Sequence, residues 1–416
     1  MASITEGMQP HVKVLGLVSA GHFMSHFYSM TIPPLIPFFH DDLGISYTLI
    51  GAILSAKAMT SGLLQLPAGI AVDRYGAKVI LSGGLLMCAA GMAILGLATS
   101  WPMLVLAVVV MAIGNCVFHP ADYSIMTGTI SDQYMGRSFS IHTFAGHIGN
   151  AVAPAVLLTI AVFWSWRASL LLSAFVGLLI FFGIASQWHA LRDDAQPQQP
   201  KKKKDSSDAT DEAPLSTWQV MLQVLKSPPL VFLFFFFTMS NLAQGGLKNF
   251  SIAGLEAVHG TNLSIAGSAL TGFLFASAFG VLVGGWVADR WKKHDFVAAA
   301  SLFACGVIVL LVGGIDLHWF VLIFTFTVAG LVNGIIRPAR DMMIRNATPK
   351  GSAGKAFGFV YSGEFIGGGV APLAYGFLLD IGKPEWIFYS SAVFFVMCGM
   401  MFLGSGRATR QQAAAT

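Results

Sequence analysis

Charge is what this sequence has least of. Only 11% of its 416 residues are Asp, Glu, Lys or Arg, against about 25% in an ordinary water-soluble domain. With 55% hydrophobic residues and a mean hydropathy of +0.70, too little polar surface is left to coat a soluble core. Short segments of period-two alternation are missing too, which excludes an outer-membrane-type barrel. The apolar stretches instead run on, as at 79–101 and 168–191, a length that suits helices crossing about 30 Å of hydrocarbon. Cysteine is scarce: Cys88, Cys116, Cys305 and Cys398 are isolated in apolar runs without CxxC spacing, which excludes a disulfide framework and a thiolate zinc site. No GxxxxGK[ST] occurs, so ATP does not drive this chain through a P-loop. The first ten residues lack Lys and Arg and read as an uncleaved N-terminus.

What is present is a series of twelve apolar stretches, near 12–39, 46–72, 79–100, 102–131, 136–163 and 167–189, then 228–254, 263–288, 295–315, 318–345, 353–381 and 386–405. The one long polar tract, 192–226, holds PQQP, KKKK and DSSDATDEAP, a composition that cannot bury enough apolar area to fold alone. The expected organisation is an N-terminal six-helix bundle over 1–191, a flexible cytoplasmic linker over 192–226, and a C-terminal six-helix bundle over 227–416. With termini and linker in the cytoplasm, eighteen of the 24 basic residues fall on the cytoplasmic side and only Arg167 and Lys383 outside, the asymmetry expected of an inner (plasma) membrane protein. The net charge of +4 is therefore topological and points to a lipid bilayer, not to nucleic acid.

The halves repeat. GNCVFHPA (Asn115, His119, Pro120, Ala121) aligns with NGIIRPA (Asn333, Arg337, Pro338, Ala339) at an offset of 218. The same offset carries Gly136 and Arg137 onto Gly354 and Lys355, and Pro154 onto Pro372; at 216, GIAVDR lands on GWVADR. Six spans per half make this a parallel repeat, the arrangement in which two bundles rock about a site near the bilayer midplane. The expected fold class is all-α integral membrane, with twelve transmembrane helices in two six-helix bundles.

The loop after span 2 contains Gly69, Asp73, Arg74, Gly76 and Lys78. It resembles the GxxxDRxGxK signature of the major facilitator superfamily, and Gly285, Asp289 and Arg290 echo it in the second half. Within that superfamily, Phe118-His119-Pro120-Ala121 and the glycine-rich run from Gly146 to Pro154 are similar to fosmidomycin-resistance-like transporters. The resemblance implies gating by Asp73, Arg74, Lys78, Asp289 and Arg290, with Arg137 beside them. It also implies alternating access by a chain working as a monomer, with no cofactor and no catalysis.

Intramembrane charge avoids spans 3, 6, 9 and 12, which are expected to be the lipid-facing staves. A charge at bilayer centre costs about 2.5–3.5 kcal/mol, so those on the other spans are expected to share one wet cavity. His22, His26, Lys57, Asn115, His119, Lys248, Asn333 and Arg337 are the expected substrate-binding residues, and Arg337 and the two lysines favour a small organic anion. Lys57 and Lys248 are equally open to a structural pairing. Glu364, inside SGEFIGGG, and Asp122 are the expected proton-coupling carboxylates. Arg340 and Asp341 lie about one turn nearer the cytoplasm; an Asp122–Arg340 bridge between halves that closes that side and a pairing of each within its own half are equally open. His22 and His26 are four apart on one helix face, but without a supporting motif the pair is not read as a metal site. The leading function is secondary, proton-coupled transport of an organic anion. Efflux of an antibiotic or phosphonate-like compound is the alternative within transport; a membrane-embedded metal-dependent enzyme and a non-transporting sensor are the alternatives outside it.

Overall fold

In a computed structural model the chain is described over residues 2–191, 227–291, 294–347 and 353–415, and every regular element there is a helix. Hydrocarbon offers no hydrogen bonds, so each segment must satisfy its backbone internally. The expected linker lies outside the described residues.

Span 1 is Ala2–Ser29, continued after a 3-10 turn at Pro33–Leu35 by Ile36–Leu43. Spans 2 and 3 are Tyr47–Tyr75 and Ala77–Gly96; span 4 is Trp101–Asn115 followed by Phe118–Thr129; spans 5 and 6 are Asp132–Phe163 and Trp166–Ser186. In the second half, span 7 runs through Pro228–Gly245, a π-helical turn at Gly246–Phe250 and Ser251–His259. Spans 8 to 12 are Leu263–Arg290, His294–Gly314, Trp319–Ala347, Ala353–Asp380 and Glu385–Ala415. Ten of these passes are long and apolar enough to cross a membrane by length and composition. Spans 1 and 11, the most interrupted by polar residues and glycine, complete the twelve-helix fold.

The breaks have local causes. Pro33 and Pro34 end the first segment of span 1, since proline removes a backbone donor and clashes with the preceding turn. Span 4 breaks at Cys116 and Val117, just ahead of Pro120, whereas Pro338 sits inside an unbroken span 10. Gly44 (φ 61°) and Gly260 (φ 63°) close spans 1 and 7 in the left-handed conformation that glycine adopts without strain, so the repeat extends to its helix caps.

Spans 3, 6, 9 and 12 expose apolar faces, for instance Leu86, Phe175, Leu310 and Met400. Spans 2, 5, 8 and 11 expose such faces as well, through Leu66, Val156, Leu282 and Phe377. The lipid-facing staves are thus more numerous than intramembrane charge alone implies. Spans 1 and 7 are largely enclosed.

The halves meet along two seams, span 2 against span 11 and span 5 against span 8. Glycine permits the approach on the first: a Cβ on Gly51 would lie 2.2 Å from the Pro372 carbonyl oxygen, and one on Gly376 equally close to that of Tyr47. Ser55 also donates to the Gly369 carbonyl across this seam. All these contacts lie toward the membrane side opposite the termini. Nearer the terminal side, Leu63, Leu66 and Ile70 of span 2 are exposed. Among the described residues, these contacts close the two bundles together on the side opposite the termini.

Candidate functional site

Spans 1, 4 and 5 bring five of the chain's eleven histidines into one cluster. His22 is the hub. Its ring lies 3.9 Å from that of His142, 4.5 Å from His26 and 5.2 Å from His119, centre to centre, while His26 lies 6.4 Å from His147. Span 5 makes room through Gly146, where a Cβ would come within 2.7 Å of His22 and 2.9 Å of His26. Asn150 and His26 Nδ1 hydrogen-bond at 2.8 Å. Asp122 is fully buried beneath the cluster, with Oδ2 3.1 Å from His22 Nδ1 and 3.4 Å from His142 Nε2.

Asp122 is thus partnered inside its own half, and the bridge to Arg340 is not formed in this structure. The Arg340 guanidinium lies 4.2 Å from the ring centre of Phe237, in its own half. The physical reason is proximity: a buried carboxylate takes the nearest polar groups, and spans 1 and 5 supply two imidazoles.

The second half presents cations instead. Lys248 sits in the π-helical turn of span 7, an irregularity that re-aims a side chain and often marks function. The positive charges of Arg337 and Lys248 both act on His147 across the seam, and Arg337 also acts on His26. Glu364 is close enough to influence Lys248 electrostatically but forms no ion pair among the described residues. Lys57 donates to the Ser29 carbonyl at 2.8 Å, where span 1 breaks and its last carbonyls lack helical partners. This bond anchors the Lys57 ammonium at the break.

Asn115 and Asn333 play one role twice. Asn115 Nδ2 donates to the Ser25 carbonyl at 3.0 Å, tying span 4 to span 1; Asn333 Nδ2 donates to Gln244 Oε1 at 3.4 Å, tying span 10 to span 7. Gln244 in turn donates to Ser240 at 3.0 Å. Sequence reasoning passed over Gln244 because uncharged amides carry no signal against so apolar a background.

The gate-motif residues sit at the terminal side. Asp73, Arg74 and Arg137 are exposed, with Arg74 over the Tyr75 ring, Lys78 over Trp188 and Arg290 over Trp286. The side chains of Asp289 and Asp341 lie outside the described residues. At the opposite side a contact that sequence reasoning missed joins the halves: Asp380, ending span 11, accepts hydrogen bonds from the backbone N–H groups of Tyr47 (2.9 Å) and Thr48 (2.7 Å) and from the Thr48 hydroxyl. It caps the start of span 2 from the other bundle, where a carboxylate suits the helix dipole. Its repeat equivalent is Val162, so the repeat offered no hint.

Between spans 5 and 8 a groove of about 240 Å³ opens beside His147, lined also by Phe139, Thr143, Phe144, Val281 and Leu282.

Known proteins share this architecture. The "Fosmidomycin resistance protein" of Escherichia coli is 24% identical over 392 residues, covering 93% of this chain and 91% of the relative. A "Glycerol-3-phosphate transporter" of Bacillus subtilis is 25% identical, covering 83% and 81%. A bacterial homologue of the human lysosomal transporter Spinster, solved in an inward-facing and unoccupied conformation, superposes with a TM-score of 0.78 at 15% identity, covering 96% of this chain and 97% of that one. The Major Facilitator Superfamily model matches residues 18–247 and 242–415, one match to each half. This multi-pass membrane protein belongs to the Major Facilitator Superfamily, a family of transporters and not of enzymes.

Proposed function

We propose that the chain moves a small organic anion across the inner membrane by alternating access, coupled to protons, with both termini in the cytoplasm. The observation that carries this reading is that the charges of Arg337 and Lys248 both act on His147 of the other half. Two cations of one bundle act electrostatically on an imidazole of the other, while the Asp122 carboxylate lies against His22 and His142. An anion bound there bridges the halves, which is the coupling a rocking transporter needs. Arg337 grips a carboxylate or phosphonate through its fork of N–H donors, Lys248 adds a point charge, and Glu364 carries the proton. Asp380 holds the outer side shut in the arrangement described. The domain limits at 191 and 227 follow from the same reading.

Efflux of an antibiotic or phosphonate-like compound is the second reading. It is favoured by the name of the relative covering most of this chain, and the same anion site serves it.

The test is a thermal-shift and calorimetric screen of organic acids and phosphonates on purified protein, followed by uptake into vesicles with and without a pH gradient. Arg337→Ala is expected to weaken each hit by about 10- to 100-fold, the loss of a charge-assisted bond of about 1.5–3 kcal/mol. Unchanged affinity for every hit in Arg337→Ala overturns the anion site.

A further inference from the structure

The geometry points to a divalent transition-metal site formed by His22 of span 1, Asp122 of span 4 and His142 of span 5. Each offers one ligand atom, these atoms all lie within 4.8 Å of one another, and the three side chains are 0–3% exposed. The two contacts to Asp122 Oδ2, 3.1 Å from His22 Nδ1 and 3.4 Å from His142 Nε2, match the separation of neighbouring ligands on a tetrahedral ion. With metal–ligand bonds of about 2.0–2.1 Å, that edge is about 3.3 Å.

The angles matter as much as the distances. Although short, neither contact is aligned as a hydrogen bond. His22 Nδ1, both Asp122 oxygens and both His142 nitrogens are buried without a hydrogen-bond partner. Five of the eleven such atoms among the described residues belong to these three side chains. Buried polar atoms of this kind are costly, and here they are concentrated at one point where lone pairs converge from three different helices. A cation accepting several lone pairs at once satisfies that arrangement, whereas a single proton satisfies one donor–acceptor line.

The donor set selects the ion. Two imidazoles and one carboxylate suit Zn²⁺, Co²⁺ or Ni²⁺; Mg²⁺ and Ca²⁺ require oxygen-rich shells, and Cu⁺ prefers thiolates or thioethers. Charge agrees, since a divalent ion neutralises the buried Asp122 carboxylate, which lies within ion-pairing distance of no Lys or Arg among the described residues. The rest of the cluster supports the same centre. His26 is oriented by its hydrogen bond with Asn150, as imidazoles around metals commonly are, and His119 stands beside His22. This site is separate from the cations that carry the anion reading, so either can fail alone.

The experiment uses the full chain in detergent with any affinity tag removed, titrated with Co²⁺ as a visible-absorption probe and with Zn²⁺ in competition. Wild type is expected to take up about one equivalent and show the intense visible bands of four- or five-coordinate Co²⁺. Asp122→Asn and His142→Gln are each expected to weaken binding by at least about tenfold, since even outer-shell changes cost metal sites about 10- to 100-fold. His22→Gln serves where Asp122→Asn does not fold, and is expected to lose at least as much. His259→Gln, whose ring contacts the Val312 carbonyl, and Arg337→Ala are expected to bind Co²⁺ as wild type does. No Co²⁺ or Zn²⁺ uptake by the folded wild type overturns the site, as does equal affinity in His22→Gln and His142→Gln.

Discussion

His119 and Arg337 stand at equivalent places in the two halves, as do Asp122 and Arg340, yet the chemistry at these places is opposite. The first bundle turns imidazoles and a buried carboxylate inward and gathers them against one another. The second turns cations inward, one lifted by a π-helical turn and another laid over an aromatic ring. Beneath this divergence the scaffold is unchanged: Asn115 and Asn333 make the same tie from the fourth helix of a half to its first. Duplication preserved what holds each bundle together and freed what faces the partner. An asymmetric centre between symmetric bundles is what directional transport of a charged ligand calls for.

The comparison is broken most sharply by removing the carboxylate that the second half sets among its cations. Glu364→Gln is expected to abolish gradient-driven accumulation in reconstituted vesicles while sparing counterflow exchange. Retained accumulation would move proton coupling to the histidine half.

A smaller effect is expected at the closure opposite the termini, where the second half caps a helix of the first. Asp380→Ala removes hydrogen bonds to Tyr47 and Thr48, and loss of such bonds at a solvent-exposed site shifts a two-state balance by about 1–2 kcal/mol. Accessibility of cysteines introduced at Ser55 and Gly369 should rise about tenfold in labelling rate, in step with that shift. No change would mean that the glycine contacts of spans 2 and 11 hold the closure by themselves.

The smallest effect sharpens the symmetry. Asn115→Ala and Asn333→Ala each remove one interhelical hydrogen bond and should each cost about 1 kcal/mol, read as similar small drops in melting temperature. A large effect on substrate affinity from one of them alone would give that asparagine a binding role.

Much of this was legible in the linear chain. Spans declare themselves by apolar length, and the repeat by registers such as Pro120 with Pro338. Asp73, Arg74 and Lys78 declare the family by their spacing. The contents of the site were only partly legible. His22, His26, His119 and Asp122 stood out because charge and imidazole are rare in apolar helices, but which of them touch could not be read. The sequence left Asp122 equally open to Arg340 across the halves and to a partner in its own half, and packing set it beside His22 and His142. Lys57 was equally open to lining the cavity and to a structural pairing, and it is anchored at the break in span 1. Asp380 and Gln244 went unnoticed, since nothing in their neighbourhoods along the chain marks them.

The amino-acid sequence by itself determined the class, the number of passes, the duplicated architecture and the identity of the buried polar groups. Each of these follows from local properties: hydrophobic length, charge placement and residue spacing. Tertiary structure alone decided the partners. Side chains brought together by helices from distant parts of the chain compete for one another through distance and angle, and a difference of a few ångströms between spans 1, 4 and 5 is not written in any one of them. The closure on the side opposite the termini, the carboxylate held among imidazoles and the cations whose charge acts on His147 from the other half all belong to that second kind of information.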